Sequence, residues 1–73
     1  PTTSISYSMP TSGDVTLEVT DMLGRSVALL VDGVQASGQH TVTFDASQLA
    51  SGLYLYRLTA GDQTVTRTML LLK

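Results

Sequence analysis

Seventy-three residues with a formal net charge of −2, four basic against six acidic, and no Cys make one small domain without disulfides, thiolate metal ligands or a basic face for nucleic acid. A single His excludes a histidine-rich metal site, and no apolar run reaches the roughly 18 residues of a membrane-spanning helix. Low charge and abundant Thr, Ser and Val suit an extracellular β domain. The start Pro1-Thr2-Thr3, with neither Met nor a signal peptide, predicts a module cut from a longer chain.

Residues 3–9 alternate, with Ile5, Tyr7 and Met9 on one face and Ser4, Ser6 and Ser8 on the other, the period of a half-buried strand. Pro10 and Gly13 end it, since proline cannot donate to a ladder and glycine permits the turn. Residues 14–20 alternate as cleanly, with Val15, Leu17 and Val19 inward and Thr16, Glu18 and Thr20 outward. The expectation is an antiparallel hairpin of these first two strands. Asp21-Met22-Leu23-Gly24-Arg25 reads as a type I turn with a glycine bulge. Asp21 would accept from the amide two residues on, and Leu23 would tuck back onto the sheet end.

A third strand follows at residues 26–31, apolar on both faces, so pattern alone does not set its register. Residues 32–39, with Gly33 and Gly38, read as a loop carrying at most a short edge strand. His40, Val42 and Phe44 then share one face and Thr41 and Thr43 the other. Asp45 is a fair cap for a single helical turn over residues 45–49.

The spacing Leu49-x-x-Gly52-x-Tyr54 is that of a tyrosine corner, in which the phenol of an early strand residue bonds backward to the main chain. In that register Tyr54, Tyr56 and Leu58 face the core, and Leu53 and Leu55 face outward beside Arg57. Ala60-Gly61-Asp62-Gln63 is a tight hairpin turn, and residues 64–72 form the last strand, ending in the apolar run Met69-Leu70-Leu71-Leu72. Strands at intervals of about eight to twelve residues, with almost no helix, predict an all-β fold: a small antiparallel Ig-like or fibronectin-like Greek-key sandwich of six to seven strands.

Chemistry is sparse. His40 has Ser residues to partner it, yet no Ser sits in a strained G-x-S-x-G elbow, and a strand residue at a core edge is the expected role. Asp14, Asp21, Asp32, Asp45 and Asp62 all fall at predicted turns, where turn and cap duty is expected. No D-x-D-x-D run supports calcium. Tyr54 and Tyr56 could form a sugar platform only weakly, with no Trp and one Phe beside them. No catalytic residue, cofactor or metal ligand is predicted. The more informative feature is a stripe of outward-facing Leu53, Leu55, Leu70 and Leu72, which is either covered by a loop or a seventh strand or serves as a contact surface for a partner or for a preceding domain.

Five segments together resemble a known family: Pro1 to Tyr7, Val19 to Arg25, Gly38 to Asp45, Leu49 to Tyr54 and Met69 to Lys73. They look like the type A C-terminal sorting domains of the type IX (Por) secretion system of Bacteroidetes, which are also similar to the Ig-like domain of flagellar hook-capping proteins. The resemblance implies a non-catalytic C-terminal module of a larger secreted protein, with the cargo domain N-terminal to it. It implies transit through the periplasm, recognition by the outer-membrane translocon, and removal by a sortase-like peptidase or use in surface attachment. Recognition in the family is attributed to the C-terminal region. That carries over to Gly52, Tyr54, Arg57, Arg67, Met69, Leu71 and Lys73, beside the outward Leu53, Leu55, Leu70 and Leu72. Family members often carry paired lysines before the last apolar run; here Arg67-Thr68 bears one charge. An exposed edge strand would also support a homodimer. The contrasting expectation is a permanently retained Ig-like or fibronectin-like binding or spacer module of an extracellular enzyme.

Overall fold

The computed structural model describes residues 2–72. Six strands follow one another: β1 (Thr2–Met9), β2 (Gly13–Asp21), β3 (Ser26–Gln35), β4 (Gly38–Asp45), β5 (Gly52–Ala60) and β6 (Gln63–Leu71). They form two antiparallel sheets, β1-β4 and β3-β2-β5-β6, in the all-β sandwich the strand spacing predicts. The alternating residues of β1 and β2 supply the facing sides of the core. Ile5, Tyr7 and Met9 pack with Val15 and Leu17 at one end. Val19, Phe44, Ala46, Tyr54 and Leu71 fill the other.

The expected β1–β2 hairpin does not form, because β1 pairs with β4 from Thr2↔Asp45 to Met9↔Gly38. The physical reason lies in the two apolar faces. Side by side in one sheet, both would need a third layer to cover them. Placed in opposite sheets, they cover each other. The link through Pro10, Thr11 and Ser12 therefore crosses between sheets instead of closing a ladder.

The expected loop at residues 32–39 is mostly strand. β3 runs on to Gln35 along β2, with Val15 opposite Gly33 and Gly13 opposite Gln35, and only Ala36 and Ser37 separate it from β4. Pairing with β2 overrides the weak local propensity of Asp32-Gly33. Asp32 consequently lies in a strand opposite Thr16, not in a turn. Two register shifts interrupt the β2–β3 ladder, which is how a strand apolar on both faces divides its side chains. Leu29 turns to solvent, while Val27, Ala28, Leu30 and Val31 pack on the core.

The local turn chemistry follows the sequence. Asp21 Oδ1 accepts from the amides of Leu23 (2.9 Å) and Arg25 (3.0 Å), and Arg25 Nε donates to Oδ2 at 2.8 Å. Gly24 takes φ +86°, open to glycine at little cost. Leu23 does not tuck back: it is 78% exposed, because the turn projects past the end of the sheet. The expected helical turn after β4 is a tighter one. Leu49 N donates to the Ala46 carbonyl at 3.0 Å, and Asp45 Oδ1 takes the Ser47 amide at 3.0 Å. Asp45 thus caps the turn as expected, although no helix forms.

The tyrosine corner is present. Tyr54 is buried, and its hydroxyl donates to the Ala50 carbonyl at 2.7 Å. Gly52 sits at φ +151°, an angle L side chains rarely adopt, and it turns the chain from the Ala46–Leu49 turn into β5. Tyr54→Phe should lower unfolding free energy by about 1 kcal/mol in urea titration, the usual worth of one such hydrogen bond. Hydrogen bonds from the Arg25 and Leu23 amides and the Arg25 guanidinium hold the Asp21 carboxyl below its ordinary range. A depressed folded-state value contributes stability that is present above the unfolded-state pKa and lost as pH falls through the folded-state one. Acid unfolding of Asp21→Asn should therefore show a shallower fall in stability below about pH 4 than the parent chain.

Candidate functional site

The register of β5 and β6 sets the candidate surface. Leu53 pairs with Leu70, Leu55 with Thr68 and Arg57 with Thr66, all on the outward side. Tyr54, opposite Met69, faces the core. Leu53 is 48% exposed, Leu70 61% and Leu72, one residue past the strand, 72%. Leu55 is half-buried beside Thr20 on β2, and Thr20 is itself buried. Arg57 does not reach outward alone, since its Nη2 donates to Glu18 Oε1 at 2.8 Å. Tyr54 and Leu71 belong to the core, with Met69 partly buried against it, so these three hold the strands in place. Gly52 opposes Leu71 at the strand ends. Arg67 is exposed further down β6, away from the leucines. Lys73 lies outside the described residues.

The sequence reading missed two members of this surface. Asp21 opposes Tyr54 and Gly52 opposes Leu71, so the β2–β3 turn sits at the same end of the sheet as the start of β5 and the end of β6. Met22 (55% exposed) and Leu23 therefore join Leu53, Leu70 and Leu72 at one end of the molecule. Single exposed leucines are ordinary on protein surfaces; five large apolar side chains gathered at one end of a 73-residue domain are not. The signal was available in the sequence as a Met-Leu pair in a turn, where polar residues are usual.

His40 stacks on Tyr7 with ring centroids 5.3 Å apart and bonds the Ala36 carbonyl through Nε2 at 2.7 Å, a packing role at a core edge. Among the described residues no three of His, Cys, Asp and Glu gather to hold a metal, and no helix is long and apolar enough to cross a membrane. A hollow of about 330 Å³ lies at the opposite end between the β1–β2 and β5–β6 links, and its carboxylates are Asp14 and Asp62. It does not touch the leucines.

Fold and surface together describe a small β-sandwich module with a cluster of exposed apolar side chains at one end. The family model for the secretion system C-terminal sorting domain matches residues 2–72, and the chain belongs to that family. It is a sorting domain for type IX secretion, of a non-catalytic kind, which ties it to that secretion machinery, to a cargo chain and to delivery across the outer membrane. Comparison with curated proteins and with solved structures gives no match.

The two faces of β6 should respond differently to substitution. Leu71→Ala should cost about 2–3 kcal/mol in urea unfolding, as for a core leucine. Leu70→Ser, losing only an exposed cross-strand partner, should cost less than about 1 kcal/mol.

Proposed function

We propose that this chain is the C-terminal module of a larger secreted protein, and that its apolar end is the surface the type IX translocon reads. Membership of the sorting family supports the first part. The observation that carries the second is the solvent-facing pair Leu53–Leu70, flanked by Leu72, Met22 and Leu23 and mounted on strands whose other face is anchored by Tyr54 and Leu71. A receptor covering these five side chains gains hydrophobic free energy without unfolding the domain. β6 is also an edge strand, so the receptor can add main-chain hydrogen bonds along it. On this reading the cargo crosses the periplasm, the translocon engages the module, and a sortase-like peptidase then removes it or uses it in attaching the cargo to the surface.

A retained binding or spacer module is the second reading, and one observation favours it. β1 enters the fold at this same end, since Thr3 pairs with Phe44, which shares a core cluster with Tyr54 and Leu71. A domain joined ahead of β1 would emerge beside the leucines and could cover them. Intact mass of the secreted parent protein separates the two, because a sorting signal removed after use is missing from it.

Truncating residues 69–73 would take the buried Leu71 from the core and would test folding more than docking. The cleaner variant is Leu53→Ser with Leu70→Ser. A reporter fused ahead of the 73-residue chain should appear outside a bacterium that carries the secretion system. The double variant should leave it in the periplasm while unfolding in urea within about 2 kcal/mol of the parent. Unchanged export of the double variant would sink the docking assignment.

A further inference from the structure

The two sheets are unequal, and the mismatch leaves a groove. Beside the two-stranded β1-β4 sheet, the inward faces of β5 and β6 are left partly uncovered in a cleft of about 240 Å³. Its floor is Tyr56 and Leu58 of β5 with Val65 and Arg67 of β6, and its wall is β1 from Ile5 to Ser8. Ile5 and Tyr7 point into the core, while Ser6 and Ser8 reach Thr41 and Gln39 on β4. All four line the cleft, so its wall is the main-chain edge of β1. No residue of β4 takes part. Val65 lies on the inward face, opposite Leu58, yet is 43% exposed.

The edge of β1 lacks the usual guards against pairing. Residues 2–9 contain no charge and no proline, and their ladder with β4 runs through eight pairs without a bulge. Two further features of the cleft are incomplete as they stand. Tyr7 is 8% exposed, and its hydroxyl oxygen has no hydrogen-bond partner. Arg25 and Arg57 have carboxylates at 2.8 Å, whereas among the described residues no carboxylate lies within ion-pair distance of Arg67.

We propose that this cleft binds an extended peptide segment of a partner protein. The segment adds as a third strand to the free edge of β1, lays alternate apolar side chains on Tyr56, Leu58 and Val65, and sets a carboxylate against Arg67. Only a polypeptide backbone answers a row of unpaired amides and carbonyls. The apolar floor fixes the period-2 pattern of the guest, and Arg67 fixes its charge. A second copy docking β1 on β1 would bring no carboxylate, since residues 2–9 have none. The surface is distinct from the leucine end and does not depend on the sorting reading.

The probe is a capped eight-residue peptide of alternating threonine and valine, with one central valine replaced by aspartate. Titrated into the ¹⁵N-labelled 73-residue chain, it should shift the amides of residues 3–9 and 65–67 saturably. The same peptide with alternate backbone amides N-methylated should not bind. Lysine in place of the aspartate should weaken binding about two- to fivefold, the worth of one exposed ion pair, and Arg67→Glu should reverse that preference. Arg67 is exposed, so this variant folds as the parent does. No saturable shift, shifts confined to β3, β4 or the leucine end, or equal binding of the N-methylated peptide would overturn the proposal. So would β1 shifts that follow protein concentration in the absence of peptide, which would assign the edge to a second copy.

Discussion

The molecule is held together by the inward face of β2. Leu17 and Val19 are fully buried and Val15 nearly so. They sit on the only strand flanked by β3 on one side and β5 on the other. Everything else takes its position from that face. β1 lies across it because Ile5, Tyr7 and Met9 need a cover of equal length and period. β3 accepts two register shifts to stay paired with it. Only two strands remain to roof a sheet of four, and the roof stops short of β6. The first six residues of β6 are exposed on both faces, whereas Leu71 at its far end is buried. One strand is thus part of the core at one end and a free surface at the other.

β5 makes that division workable. A strand carrying apolar residues on both faces has no register preference of its own, because a one-residue slip exchanges Tyr54 and Tyr56 for Leu53 and Leu55. The Tyr54 hydroxyl bond to Ala50 removes the ambiguity. It ties a core residue to main chain just upstream, with Gly52 supplying the angle between. Asp21 performs the corresponding service opposite, locking the turn that carries Met22 and Leu23 with three hydrogen bonds to one carboxylate. The leucines stay outward because the residues between them are fixed inward.

Much of this was legible in the sequence, and the exceptions share a cause. Strict alternation at Ile5-Tyr7-Met9 and Val15-Leu17-Val19 specifies strands and their buried faces. The Leu49-x-x-Gly52-x-Tyr54 spacing specifies the corner, and Asp21 with Gly24 specifies the turn. Alternation does not say which strand lies beside which, so the pairing of β1 with β4 was invisible. Asp32-Gly33 carries loop-forming residues, and only the presence of β2 alongside makes it strand. Leu23 was expected to fold back because apolar residues seek cover, but a turn that projects past the sheet end has no cover to find. The outward leucines of β5 and β6 followed from the corner. The contribution of Met22 and Leu23 to the same end required the β2–β5 register.

A folded domain that serves as an address faces two opposed requirements. It must keep its edges from pairing with copies of itself before delivery, and it must leave something open for a receptor to hold. Here β3 is interrupted by bulges and β4 carries Asp45 and His40 along its length, both deterrents to stray pairing. The openings that remain are separate in chemistry. The end formed by Leu53, Leu70 and Leu72 offers apolar area, with the neighbouring charges of Asp21 and Arg25 paired to each other. The edge of β1 offers main-chain groups beside the exposed Arg67. Because β5 contributes Leu53 to the first and Tyr56 with Leu58 to the second, both are anchored to the same strand, and the hydroxyl bond of Tyr54 that sets its register sets the geometry of both.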